Sequence, residues 1–301
     1  MTTAEAVVGG PPAALHVRLA HACVQWIAES ARVRVLHIKG HAIDEEMRVL
    51  RGGGSDVDVL VAPSELSRFE AALRSLGWTL YTTFRSGSVF GHAATYYHPT
   101  WGTADVHRWI PGLDRGPCAS FEYLWSDRLA RELGGVPCAV PSDDHHRLIL
   151  LLHAARNGAR RGTDFRLGWG DVEGPQRRRI RNAAYAMGAH VPFMLVTTDA
   201  GVVPGRHARL WAAVVTNRGT TEQWFARFKD ASSIREVSLL VGDALKANQD
   251  HLGLKLGHRP SRGELVNEQM RRAGTAARWV AATFLPARVR SFRSRRSGQV
   301  R

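Results

Sequence analysis

Cysteine is scarce in this chain: Cys23, Cys118 and Cys138 are the only three among 301 residues. Odd in number and far apart, they argue against a disulfide framework and against a zinc knuckle. No run of about eighteen apolar residues occurs, so no transmembrane helix is expected. Met1 to Pro12 lacks the basic flank and continuous apolar core of a signal peptide. A soluble protein in a reducing cytoplasm is therefore expected. Negative charge is also in short supply, with 27 acidic residues against 41 basic ones and a formal net charge of +14. That excess predicts attraction to polyanions such as nucleic acid, nucleotides or acidic lipid surfaces. It does not choose among them, and part of it reflects an arginine-rich composition. No internal repeat is present.

What remains is ordinary globular material, 44% hydrophobic and 23% charged, in a chain long enough for two domains. The informative stretch is Arg51-Gly52-Gly53-Gly54-Ser55-Asp56-Val57-Asp58-Val59-Leu60-Val61. Its second half alternates carboxylate with β-branched residue and ends at Pro63, which predicts a strand entered from a glycine-rich turn. Alternation puts Asp56 and Asp58 on one face, roughly 6.5 to 7 Å apart along the backbone. Carboxylates so close repel unless a raised pKa, water or a divalent ion relieves them, and hard oxygen ligands suit Mg²⁺. A solvated strand edge is the alternative for the pair alone. The three glycines favour a site where phosphates approach backbone N–H groups.

In chain order, residues 1–12 read as a disordered lead, followed by a helix from Ala13 to about Ser30. A β-rich run Val33–Ile38 stops at Lys39-Gly40, and residues 41–50 read as a helix. After the Asp56/Asp58 strand come a helix closed by Gly77 and two strands, Trp78–Phe84 and Val89–His98, joined by the turn Arg85–Ser88. A strand over Gly102–Ile110 carries Asp105 and His107 on one face. Ser120–Leu129 reads as helix and Arg131–Val140 as a small hairpin. Asp143–Asn157 is apolar nearly all round and predicts a buried helix. His145, His146 and His153 on it are read as packed or surface groups rather than ligands, because no carboxylate or cysteine cluster sits at ligand spacing. Helical patterns continue over 205–216, 221–229, 232–252 and 262–284. The arginine-rich end, 286–301, reads as a disordered basic tail. The expected organisation is a sheet domain over 13–140, an α-helical domain over 141–285 and the tail.

Lys39-Gly40 after a strand, then the glycine and D-x-D stretch, then Asp105 on a later strand, together resemble the nucleotidyltransferase superfamily with the DNA polymerase β-like fold. Within it the chain is most similar to a poorly characterised bacterial nucleotidyltransferase family. The matching residues are Ile38-Lys39-Gly40, Arg51 to Val61 with one extra glycine, Asp105-Val106-His107, and Leu152-His153 with Leu167–Asp171. The sequence departs from the superfamily at Gly40-His41, where Gly-Ser or Gly-Gly is usual.

That resemblance implies an α/β (α+β) fold, a mixed sheet with flanking helices followed by a helical domain. It also implies transfer of a nucleoside monophosphate from an NTP, most often ATP, to a hydroxyl of a small molecule or peptide. Asp56, Asp58 and Asp105 would be the catalytic and metal-holding carboxylates, binding two Mg²⁺ (or Mn²⁺) ions. Lys39, Gly40, Arg51, Gly54 and Ser55 would meet the phosphates, and His107 would orient Asp105 or assist the acceptor proton. Asp171 and Arg156 would line the cleft. The alternative, drawn from the net charge and His41, is a non-catalytic nucleic-acid-binding or antitoxin-like regulatory protein that keeps the fold.

Overall fold

A computed structural model describes residues 12–84, 90–159, 161–198, 203–205, 207–216 and 260–284, with isolated residues between 222 and 258. Helix α1, Ala13–Ser30, buries Val17, Ala20, Val24, Ile27 and Ala28, a stripe at helical spacing. Arg32 ends it in the left-handed region, φ 53°, while Val33 N–H reaches back to the Ala28 carbonyl at 2.8 Å.

Strand β1, Val35–His37, leads into a short 3₁₀ turn, Gly40–Ala42, and helix α2, Glu45–Arg51. The helix expected over 41–50 thus starts later. Asp44 caps it, accepting from Glu46 N–H at 2.9 Å. Strand β2, Val57–Val61, and helix α3, Leu66–Ser75, follow. Strands β3, Thr79–Thr82, β4, Ala93–His98, and β5, Gly102–His107, complete a five-stranded sheet ordered β1-β2-β5-β4-β3. Only β2 and β5 pair in parallel; the other neighbours are antiparallel. The turn expected at 85–88 lies outside the described residues. Helix α4, Pro117–Ser126, precedes a two-stranded hairpin of β6, Leu129–Leu133, and β7, Val136–Val140.

The sheet is buried on both faces at β1 and β2, while the edge strand β3 is exposed. Val57, Val59 and Val61 of β2 join Ala104 and Val106 of β5 in a core with α1 and α3. Leu60 points the other way, with Leu36 and Ile38, into a second core built on helix α5, Asp143–Arg156. Around α5 lie α6, Thr163–Phe165, a π-turn over Arg166–Gly170, α7, Gly174–Ala186, α8, His190–Thr197, and α9, Ala208–Val215. The turn reaches α5 so closely that a Cβ on Gly168 would sit 2.6 Å from the Arg147 carbonyl oxygen. Only glycine fits there.

Because α5 shares its core with β1 and β2, compactness divides the chain after Asp230, into residues 1–230 and 231–301. The sequence reading drew the boundary after residue 140, where texture changes from strand to helix. Change of texture and division of the core fall at different places. In the second unit the helix Arg262–Phe284 is opened by a capping box: Glu264 N–H donates to Ser261 Oγ at 3.3 Å, and the Glu264 carboxylate accepts from Ser261 N–H at 2.8 Å. The helices expected over 221–229 and 232–252, the lead and the tail lie largely or wholly outside the described residues. No helix among the described residues is long and apolar enough to cross a membrane.

Candidate active site

Period-two alternation builds the site. With Val57 and Val59 turned to the α1/α3 side, Asp58 turns to the α5 side. On β5, Ala104 and Val106 take the first side, leaving Asp105 and His107 beside Asp58. The parallel pairing sets Asp58 opposite Asp105 and Leu60 opposite His107. Asp58, Asp105 and His107 each offer one ligand atom, and these atoms lie within 4.8 Å of one another.

Hydrogen bonds distribute the charge unevenly. Lys39 Nζ donates to Asp58 Oδ1 at 2.5 Å, and His107 Nε2–H donates to the same oxygen at 2.8 Å, all three groups buried. Burial alone would push the Asp58 carboxyl up, but Lys39 and His107 outweigh it and hold that carboxyl far below the usual range. Among the described residues, Asp105 has only the Thr95 hydroxyl, donating at 2.6 Å from the facing position on β4. Burial and the Asp58 charge raise its pKa to about 6. Asp56, one residue before β2, is raised by the same two causes. Burial and the nearby Lys39 lower the His107 pKa to about 4, so its ring is neutral.

Lys39 reaches Asp58 from a backbone with φ 55° and ψ −161°, a region occupied almost only by glycine. Holding a lysine there costs about 1–3 kcal/mol, and such strain clusters at functional sites.

The glycine loop has its own packing logic. Gly52 and Gly54 take positive φ, 82° and 77°. A Cβ on Gly53 would lie 2.2 Å from the buried His41 ring, and one on Gly40 2.9 Å from the Gly53 carbonyl oxygen. The loop therefore lies flat on Gly40-His41. His41 fills a space rather than offering a hydroxyl to a ligand, and neither of its ring nitrogens has a hydrogen-bond partner among the described residues. A Cβ on Gly54 would stand 3.7 Å from Asp56 Oδ1, so the loop passes beside that carboxylate.

The sequence-predicted residues land unequally. Lys39, Asp58, Asp105 and His107 come together. Asp56 stands next to them, outside the set whose ligand atoms converge, and His107 takes the third place expected for it. His107 bonds to Asp58 rather than orienting Asp105. Lys39, expected on phosphate, sits on Asp58. Arg51, also expected on phosphate, donates through Nε to Asp164 Oδ1 at 2.5 Å. His153 Nδ1 bonds to the other oxygen of that carboxylate at 2.5 Å. Burial would raise the Asp164 pKa, but His153 and Arg51 bring it down to about 2. Ser55 is exposed. Asp171 pairs with Arg166 at 2.8 Å, both well exposed. Arg156 lines a small pocket with Lys39, His92, His107 and His153.

Asp164 and Thr95 were missed, and His153, read from the sequence as a packed or surface group, is tied to Asp164. Thr95 was legible in principle, since the strand over 89–98 pairs with that of Asp105, but register does not follow from one sequence. Between Arg51, Gly54, Asn157, Thr163 and Asp164 opens a further pocket of about 330 Å³.

A divalent ion fits this donor set. Among the described residues neither Asp56 nor Asp105 has an ion pair, and both are raised, first by burial and then by the Asp58 charge, a cost that a hard cation on oxygen ligands relieves.

The architecture is thus a mixed α/β sheet with flanking helices that carries its carboxylates on neighbouring parallel strands, as the resemblance to nucleotidyltransferases implies. Residues 19–169, half of the chain, match a family described as uncharacterised nucleotidyltransferases, and the chain belongs to that family. No curated protein matches it.

Solved structures that it resembles include the antibiotic-resistance factor ANT(2'')-Ia, at 14% identity and TM-score 0.33, covering 60% of this chain and 88% of that one. Another is the lincosamide antibiotic adenylyltransferase LnuA bound to lincomycin, at 12% identity and TM-score 0.31, covering 56% and 96%. A third is an antigenic nucleotidyltransferase-like protein from Paracoccidioides brasiliensis, at 12% identity and TM-score 0.31, covering 76% and 93%.

Proposed function

We propose that the chain is an active, Mg²⁺-dependent (or Mn²⁺-dependent) nucleotidyltransferase. It moves a nucleoside monophosphate from an NTP, with ATP the expected donor, to a hydroxyl of a small molecule or peptide. The observation that carries this reading is the register of Asp58 against Asp105, with Asp56 two residues upstream and the glycine loop beside it.

Asp56, Asp58 and Asp105 are the residues that would hold the ion. Bound there, it would neutralise charge on the phosphate oxygens and acidify the acceptor hydroxyl. The chain's own groups do the rest by position. His107 fixes the Asp58 carboxylate through Nε2–H. Lys39 and Arg156 supply fixed positive charge in a buried setting, where it acts more strongly than in water. Arg51, tied to Asp164, anchors the end of the side-chain-free glycine loop, leaving its backbone open to phosphate beside Asp56. The 330 Å³ pocket on the far side of that loop offers room for the nucleoside.

Titration calorimetry with non-hydrolysable analogues of the four NTPs, with and without Mg²⁺, tests the reading. Mg²⁺-dependent binding of one analogue, lost in Asp105→Asn, supports it; folded protein that binds none sinks it. The second reading, a regulatory nucleic-acid-binding protein, is favoured by the +14 charge. It predicts steeply salt-dependent binding to RNA or DNA with no metal requirement.

A further inference from the structure

The resemblance implies two divalent ions, but the carboxylate that both would share is already engaged. Asp58 Oδ1 accepts from Lys39 Nζ at 2.5 Å and from His107 Nε2 at 2.8 Å. The Lys39 and Asp58 side chains are each 9% exposed. A second ion would have to displace the ammonium from that oxygen. The pocket beside Lys39 holds about 20 Å³, room for one water. Its walls carry Arg156, whose positive charge would oppose the ammonium, and the apolar Ile110, Ile149 and Leu152. The strained backbone at residue 39 points the same way, since a side chain meant to swing freely does not need to be started from a glycine-only conformation.

We propose that Lys39 permanently occupies one of the two cation positions of this site, so that the chain takes up a single divalent ion with its nucleotide. Lys39 then acts as a positioning residue for Asp58 and stands in electrostatically for the missing ion. Asp56 and Asp105, which carry no ion pair among the described residues, are left with the remaining oxygen of Asp58 to hold the ion that binds. This inference rests on the nucleotidyltransferase reading above and is separable from it.

The test is a count. Equilibrium dialysis of the full chain with labelled Mn²⁺ and a saturating α,β-methylene ATP analogue gives the ratio of bound ion to bound nucleotide. One Mn²⁺ per nucleotide is expected for the wild type, and two for Lys39→Met and Lys39→Ala, in which the buried Asp58 has lost its cation. Two Mn²⁺ in the wild type overturns the proposal while leaving the nucleotidyltransferase reading intact. A ratio of one in a folded variant, checked by circular dichroism, also overturns it. Where both variants fail to fold, the wild-type count decides alone. Absence of nucleotide binding in the wild type removes the nucleotidyltransferase reading and this proposal with it.

Discussion

Asp58 and Asp105 stand in direct register on the one parallel strand pair of the described sheet, yet they live in opposite electrostatic conditions. Lys39 and His107 both donate to Asp58, whereas among the described residues Asp105 has a single hydroxyl donor, Thr95. One carboxylate is neutralised by the protein and the other waits for something else to neutralise it.

Asp105→Asn should stabilise the ligand-free protein at neutral pH. Burial and Asp58 raise the Asp105 pKa from 3.8 to about 6. A folded-state pKa above the unfolded one means that stability falls as pH rises from about 4 to about 6 and stays low above that. A shift of this size corresponds to ~3 kcal/mol, and screening in a partly exposed site reduces the expected gain to ~1–2 kcal/mol. Asparagine keeps an oxygen for the Thr95 hydroxyl. Urea unfolding at pH 8 and pH 4 should show the gain only at pH 8; a loss at pH 8 would show that no repulsion is stored there.

The buried histidines should make the protein acid-sensitive. Burial, with the neighbouring positive groups, lowers His21 and His146 to about 3 and His107 to about 4. His37, whose Nε2–H donates to Gln25 at 3.0 Å, is also lowered well below its usual value by burial. Folded pKa values below the unfolded 6.5 give stability that is complete above about pH 6.5 and lost as pH falls toward 4. Each such proton costs about 1.4 kcal/mol per pH unit. The urea midpoint should therefore drop steeply between pH 6.5 and 4, with uptake of more than one proton on unfolding. A flat profile in that window would contradict the neutral, buried assignment.

Gly53 and His41 should be energetically coupled. A Cβ on Gly53 would collide with the His41 ring, so Gly53→Ala should cost ~1–3 kcal/mol of stability. In a His41→Ala background the collision disappears, and the same substitution should cost at least ~1 kcal/mol less. Equal costs in the two backgrounds, measured by chemical denaturation, would show that the His41 ring is not what requires glycine at position 53.

Much of this was legible in the sequence because period-two alternation is a local property. Val57, Val59, Ala104 and Val106 told which way Asp58, Asp105 and His107 turn, and the glycines announced a loop. Partnerships between distant elements were not legible. That Arg51 would be taken by Asp164, 113 residues away, depends on how α5 and α6 pack. That Lys39 would fall on Asp58 depends on a left-handed φ that no propensity assigns to lysine. The boundary after residue 140 followed a change from strand to helix, while the core continued through Leu148, Leu151 and Leu152 onto the sheet.

Product analysis with water standing in for the acceptor tests the central claim most directly. Nucleotidyl transfer attacks the α-phosphorus, so prolonged incubation of the wild-type chain with Mg²⁺ and the NTP that it binds should slowly yield nucleoside monophosphate and pyrophosphate in equal amounts. Asp105→Asn should abolish both. Nucleoside diphosphate with inorganic phosphate, or a wild-type yield no greater than that of Asp105→Asn, would contradict it.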